Sequence, residues 1–181
     1  YDMLGSVVQS VQAHCVFPTP EEFELMSKRK NLWVAHCPQS NMNANGVAAP
    51  IRRYLDAGIH VGLATDIAGS NTLNMFRTIS DTIVASKIYW NSVERKGDPF
   101  AEKTYLTLSE AFYLATKGGC SFWGKAGSFE EGSLFDAVVI DDAPLWDFNN
   151  RSLRQRIERV VFQGDERHTV AKFINGRKVY G

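Results

Sequence analysis

With 181 residues, 44% of them hydrophobic and 12% aromatic, the chain can build one core and a small second one, which excludes a disordered or low-complexity protein. Lys and Arg number 20 and Asp and Glu also 20, so the zero net charge argues against electrostatic capture of nucleic acid or an anionic membrane and favours small-molecule or protein partners. Cys15, Cys37 and Cys120 are an odd set without C-x-x-C spacing, which argues against a disulfide framework and predicts a reducing compartment, by default the cytoplasm.

At the start, "YDMLGSVVQS" has neither the basic flank nor the apolar stretch of a signal peptide. No apolar run approaches the roughly 20 residues of a membrane-spanning helix. "SVVQSVQAH" reads as a strand ending at His14. "TPEEFELMSKRK" follows as a helix, with Thr19 as N-cap, Pro20 at the first helical position and Glu22 completing a capping box. "NLWVAH" is a second strand, ending at His36; the stretch "CPQSNMNANG" reads as a loop, and "VAAPIRRYLDAG" as a helix stopped by Gly58. "IHVGLATD" is a third strand, ending at Asp66, before a helix through "NTLNMFRTISDTIVASKIYW".

His14, His36 and Asp66 are separated by 22 and 30 positions, the spacing of successive βα units in a parallel sheet or barrel. In such folds catalytic groups sit at the carboxyl ends of strands, where the backbone is rigid and the side chain reaches an open mouth. A lone strand-end His is most often a packing residue. Three ionisable residues at consecutive strand ends point instead to a site.

After Trp90 the pattern changes. "LTLSEAFYLATKGG" predicts a helix with a capping box at Thr107 and Glu110 and an apolar face of Leu108, Ala111, Phe112 and Ala115. "GSFEEGSLFDAVVID", "RIERVVFQG" and "VAKFINGRKVYG" read as strand candidates, the last with an Asn-Gly hairpin signal at Asn175 and Gly176. The predicted division is 1–127 for the late strands and helices and 128–181 for a small β unit.

"VQAHC", "WVAHCPQSN", "GLATDIAGSNTLNMF", "SEAFYLATKGG", "GSFEEGSLFDAVVID" and "VFQGDERHTVAKFINGRKVY" occur in the order found in the amidohydrolase superfamily, and the set resembles the carboxyl-terminal part of the guanine deaminases. "HCPxSN" and a strand-end "TD" are shared with many deaminases and triazine hydrolases. "TDIAG" followed by "GDER" narrows the resemblance toward guanine. The fold it implies is α/β: about three βα units from the end of a metal-dependent (β/α)8 TIM barrel, followed by helices and a small β unit.

The resemblance implies a hydrolytic deamination of guanine to xanthine and ammonia, with zinc or another divalent metal such as iron as cofactor. In the family the metal is held by a His-x-His pair from the first strand, a His from the fifth and an Asp from the eighth. Asp66 matches that last position, as ligand and as acceptor of a proton from water. His14 matches the sixth-strand His that orients the water and stabilises developing charge. Ser40 and Asn41 are expected as pocket-lining donors and acceptors for a purine edge, against the simpler reading that they shape a turn. A supporting hydrogen-bond role is favoured for His36 over substrate contact.

Cys15 and Cys37 each follow a candidate site His, but alternation along a strand predicts that they point outward against helices. The arginines of "NNRSLRQRIERV" read as a solvated segment rather than a phosphate site, and His60 and His168 as structural or exposed. No H-x-H motif occurs, and a complete barrel needs roughly 250 residues. The chain is therefore expected to form part of a longer enzyme, to be inactive alone, to bind no metal tightly, and to form homo-oligomers through open strand edges. A non-catalytic module that associates through those edges stays open as the alternative, as does another aminated heterocycle, 8-oxoguanine or a triazine, for the substrate.

Overall fold

A computed structural model describes residues 8–145 and 147–181. Three short strands, β1 (Ser10–Ala13), β2 (Leu32–His36) and β3 (His60–Leu63), form a parallel sheet in the order β1-β2-β3. Residues 6 and 7 of the first predicted strand lie outside the described residues. Parallel neighbours need helical crossovers. These are α1 (Pro20–Lys28) after β1, and α2 (Pro38–Asn45) with α3 (Ile51–Asp56) after β2.

Helix α1 begins as predicted. The Glu22 amide donates to Thr19 Oγ1 at 3.2 Å, and Glu22 Oε2 accepts from the Thr19 amide at 2.8 Å. Two expectations between β2 and β3 change. The stretch read as a loop is α2, started by Pro38 and closed by Gly46 in the left-handed conformation at φ 65°. The following helix begins only at Ile51, since Pro50 stands at its cap.

Val34 opposes Val61 in the register, and both enter a core with Ile51, Tyr54, Ile59, Leu106 and Leu114. On the opposite face Trp33 stacks on its register partner His60, with ring centroids 4.6 Å apart, and donates through Nε1 to Ser121 Oγ at 2.9 Å. His60 is therefore a packing residue. The free side of β3 meets the chain at Gly118 and Gly119. A Cβ on Gly62 would lie 2.8 Å from Gly119 Cα, so only a glycine lets the two backbones meet.

Beyond the sheet, α4 (Met75–Tyr89) runs on into a π-helical turn, Trp90–Glu94, and α5 (Leu108–Tyr113) into another, Leu114–Gly118. The capping box of Thr107 and Glu110 is formed. Strands β4 (Ala137–Ile140), β5 (Thr169–Ile174) and β6 (Arg177–Tyr180) make a separate antiparallel sheet. Asn175 and Gly176, at φ 47° and 77°, turn the β5–β6 hairpin as the Asn-Gly pair predicts.

The segment read as the strand "RIERVVFQG" is helical: α6 spans Leu153–Gln163. Ser152 caps it in a box with Gln155, and Val160 and Val161 turn inward, Val161 joining Ile79, Ile83 and Ala111 between α4, α5 and α6. Two of its arginines pair with aspartates, Arg156 with Asp142 at 2.6 Å and Arg159 with Asp147 at 3.1 Å. Among the described residues no helix is long and apolar enough to cross a membrane.

Candidate active site

The parallel register aligns the carboxyl ends of the three strands. The pairing runs one residue past β1, where the His14 amide donates to the Ala35 carbonyl at 3.0 Å, and one past β3, where the Ala64 amide donates to the His36 carbonyl at 2.9 Å. Immediately beyond, the backbone leaves the extended conformation. His14, Cys15 and Asp66 have φ of 70°, 43° and 51°, a left-handed region that costs non-glycine residues about 1–2 kcal/mol each. Such conformations gather at functional sites.

These turns bring the two predicted catalytic residues together. His14 Nε2 stands 3.8 Å from Asp66 Oδ2, with the two side chains 43% and 38% exposed and thus reachable from solvent. Buried supports lie behind them. Ser40 Oγ donates to Asp66 Oδ2 at 2.5 Å, and His14 Nδ1 is 2.8 Å from Asn41 Oδ1. Ser40 and Asn41, expected as partners for a purine edge, thus spend their side-chain oxygens inside the chain, and both are buried.

The loop after β3 wraps this pair. The Ser70 amide donates to the Asp66 carbonyl at 2.8 Å, and Asn43 Nδ2 to the Gly69 carbonyl at 3.2 Å. A Cβ on Gly69 would lie 2.7 Å from both Asp66 Oδ2 and Ser40 Oγ. The glycine is what allows the loop to close over the carboxylate.

Cys37 departs from the expected outward orientation. It caps α2 instead of continuing β2, so strand alternation no longer governs it. One ligand atom from each of His14, Cys37 and Asp66 can be chosen so that all three lie within 4.8 Å of one another. The thiol donates to the Ala35 carbonyl at 3.4 Å, and burial, aided by the charge of Asp66, pushes its pKa up to about 11. It is a neutral thiol at neutral pH. Cys15 packs against the core around Val34 and Tyr54, and its carbonyl accepts the Tyr54 hydroxyl.

His36 is fully buried, and burial followed by the charge of His14 lowers its pKa to about 3. Neither of its ring nitrogens has a partner among the described residues. The supporting hydrogen bond expected of it is absent there, and its ring is a neutral packing group. His168 is buried too, its Nδ1 accepting from the Asp165 amide at 3.1 Å.

A divalent cation fits one side of this arrangement. Asp66 offers a half-exposed carboxylate and His14 an imidazole nitrogen facing the same space, the oxygen and nitrogen donors such ions take. Sequence reading placed Asp66, His14, Ser40 and Asn41 near one another but missed the helical support and the roles of Cys37 and Gly69. A signal for the helix was present in Pro38, which suits a first helical position.

A family model described as the amidohydrolase family matches residues 2–179. Guanine deaminase of Dictyostelium discoideum is 31% identical over 178 residues, covering 94% of this chain and 38% of that protein. The crystal structure of guanine deaminase from C. acetobutylicum with bound guanine in the active site superposes with a TM-score of 0.87 at 39% identity, over 97% of this chain and 40% of that one. Atrazine chlorohydrolase TrzN from Arthrobacter aurescens TC1, complexed with zinc, gives a TM-score of 0.74 at 25% identity, over 94% and 36%. The chain thus spans well under half the length of the relatives it matches.

Proposed function

The chain belongs to the amidohydrolase family, and on that footing we propose that it supplies the late-barrel half of a metal-dependent deaminase converting guanine and water to xanthine and ammonia. The observation that carries this reading is the His14–Asp66 pair, held 3.8 Å apart at the aligned ends of parallel strands. The guanine deaminases among its relatives supply the substrate. The three strands correspond on this reading to the sixth, seventh and eighth of a (β/α)8 barrel. The remaining metal ligands and the residues that grip the ring lie outside this chain.

Asp66 would hold the metal, zinc in the first instance, and the bound cation would supply Lewis acidity that brings the pKa of water toward ~7. Ser40 donates to Oδ2, the carboxylate oxygen that faces His14, and so fixes the rotamer in which Asp66 meets the reaction. Asp66 takes a proton from the attacking water as its oxygen bonds to the amino-bearing ring carbon. The proton taken by Asp66 and the one left on the new hydroxyl then pass to a ring nitrogen and to the amino group, so that the C–N bond breaks to give ammonia, the added oxygen stays as the xanthine carbonyl, and Asp66 returns to its carboxylate. His14 faces the same space through Nε2, placed to hold the water and to steady charge developing at the carbon.

The partner is a small purine, with neither nucleic acid nor membrane involved, and the compartment is the cytoplasm, in keeping with three free cysteines. Assembly into homo-oligomers belongs to the same proposal. Ammonia release by the complete enzyme from guanine, 8-oxoguanine, adenosine and an amino-triazine tests it. Guanine should give the highest kcat/KM, and a preference for the triazine would reassign the substrate.

A further inference from the structure

Helix α2 starts directly after β2, with only Cys37 between them, and β2 is the central strand of the sheet. Its first turn therefore sits above a point between β1 and β3. Consecutive helical residues diverge by about 100° around the axis. Ser40 and Asn41 use that divergence to reach opposite sides, Ser40 to Asp66 beyond β3 and Asn41 to His14 beyond β1.

We propose that Ser40 and Asn41 are positioning residues, through which α2 fixes the rotamer of Asp66 and the tautomer of His14. With the Asn41 amide in this orientation its oxygen only accepts, so the 2.8 Å contact from His14 Nδ1 to Asn41 Oδ1 assigns the hydrogen to Nδ1. Nε2 of the neutral ring then carries a lone pair, and that lone pair faces Asp66 Oδ2. Two electron-rich atoms held 3.8 Å apart leave room for a water proton or a cation between them. The opposite tautomer would put an N–H there and close the pair on itself.

The burial of the supports strengthens the assignment. Asn41 is 3% exposed, and its Nδ2 has no partner among the described residues. That unmet half costs stability, and the amide's other half is the one engaged with His14. Ser40 and Asp66 meet beneath a loop where a Cβ at position 69 would press on both of their oxygens at 2.7 Å.

The test uses the complete enzyme labelled with 15N-histidine, at about pH 8, above the ordinary imidazole pKa. The His14 resonances are identified by their disappearance in His14→Gln. We expect a protonated Nδ1 and a bare Nε2, a pattern lost in Asn41→Leu and retained in Asn41→Asp, which keeps an accepting oxygen. An Nε2–H pattern in the native protein, or no change in Asn41→Leu, overturns the proposal.

The kinetic arm rests on the deaminase reading above. Ser40→Ala and Asn41→Leu should lower kcat roughly 10- to 100-fold with KM within about twofold, as loss of an orienting partner does. A raised KM with unchanged kcat would make the two residues substrate contacts and also overturn the proposal. If the enzyme releases no ammonia from guanine, the substrate reading fails while the tautomer remains measurable.

Discussion

His14 Nε2 and Asp66 Oδ2 stand 3.8 Å apart although their strands are not neighbours, since β2 runs between β1 and β3. The left-handed turns at both residues and the contacts from α2 bring them across that gap. The pair is thus a product of tertiary structure, and disturbing its supports should disturb chemistry more than stability.

His14→Ala in the complete enzyme should reduce turnover by a factor of about 100 or more, the scale of a lost electrostatic stabiliser. It should leave more metal bound than a change at Asp66 does. Metal content after dialysis, read beside kcat, separates the two roles. Near-native kcat would remove His14 from the mechanism.

Gly69→Ala should slow the enzyme by roughly 10- to 100-fold, because a displacement of about 1 Å at a reacting group has that effect. The added carbon would meet Asp66 Oδ2 and Ser40 Oγ at 2.7 Å, so the carboxylate has to move. Kinetics together with thermal unfolding give the check. A large fall in melting temperature with an unchanged rate in the surviving fold would contradict the cradle.

Tyr54→Phe should destabilise the fold by about 1–3 kcal/mol, the cost of leaving a part-buried carbonyl without its donor. Tyr54 is fully buried, and its hydroxyl donates to the Cys15 carbonyl, next to His14. Urea unfolding measures the loss. An unchanged midpoint would show that the carbonyl finds another donor.

Stability should fall with acid through His36. Its folded pKa of about 3 lies below the ordinary value of 6.5, so between those values the unfolded chain binds the extra proton. The neutral ring's contribution is complete above pH 6.5 and is lost as pH falls toward about 3, with a limiting slope of about 1.4 kcal/mol per pH unit. Urea unfolding of the wild type and of His36→Leu at several values across that window should show a shallower dependence in the variant. Equal slopes would place the acid sensitivity elsewhere.

The strand order and the α1 start were legible because they rest on local chemistry, short apolar runs before His14, His36 and Asp66 and a capping box at Thr19, although β3 stops at Leu63, three residues before Asp66. The α2 error came from composition. "PQSNMNAN" has almost no apolar periodicity, and the helix is marked by its ends, Pro38 at the start and Gly46 at the stop, while its first turn bonds to His14 and Asp66. The α6 error came from weighing "RVVF" by β-propensity when Ser152, Gln155 and the spacing of Ile157, Val160 and Val161 marked a helix. Cys37 was misplaced by extending strand alternation past the point where the strand ends.

The most direct test of the account is kcat at saturating guanine for the complete enzyme and its Asp66→Asn variant. Asparagine tolerates the left-handed backbone at this position and still accepts from Ser40, so the fold should survive. What is lost is the proton acceptor and the negative ligand. The account predicts that the native enzyme forms xanthine and ammonia in equal amounts, and that the folded variant is slower by at least about 1,000-fold with less zinc retained. A folded Asp66→Asn enzyme that deaminates guanine at the native rate would contradict it.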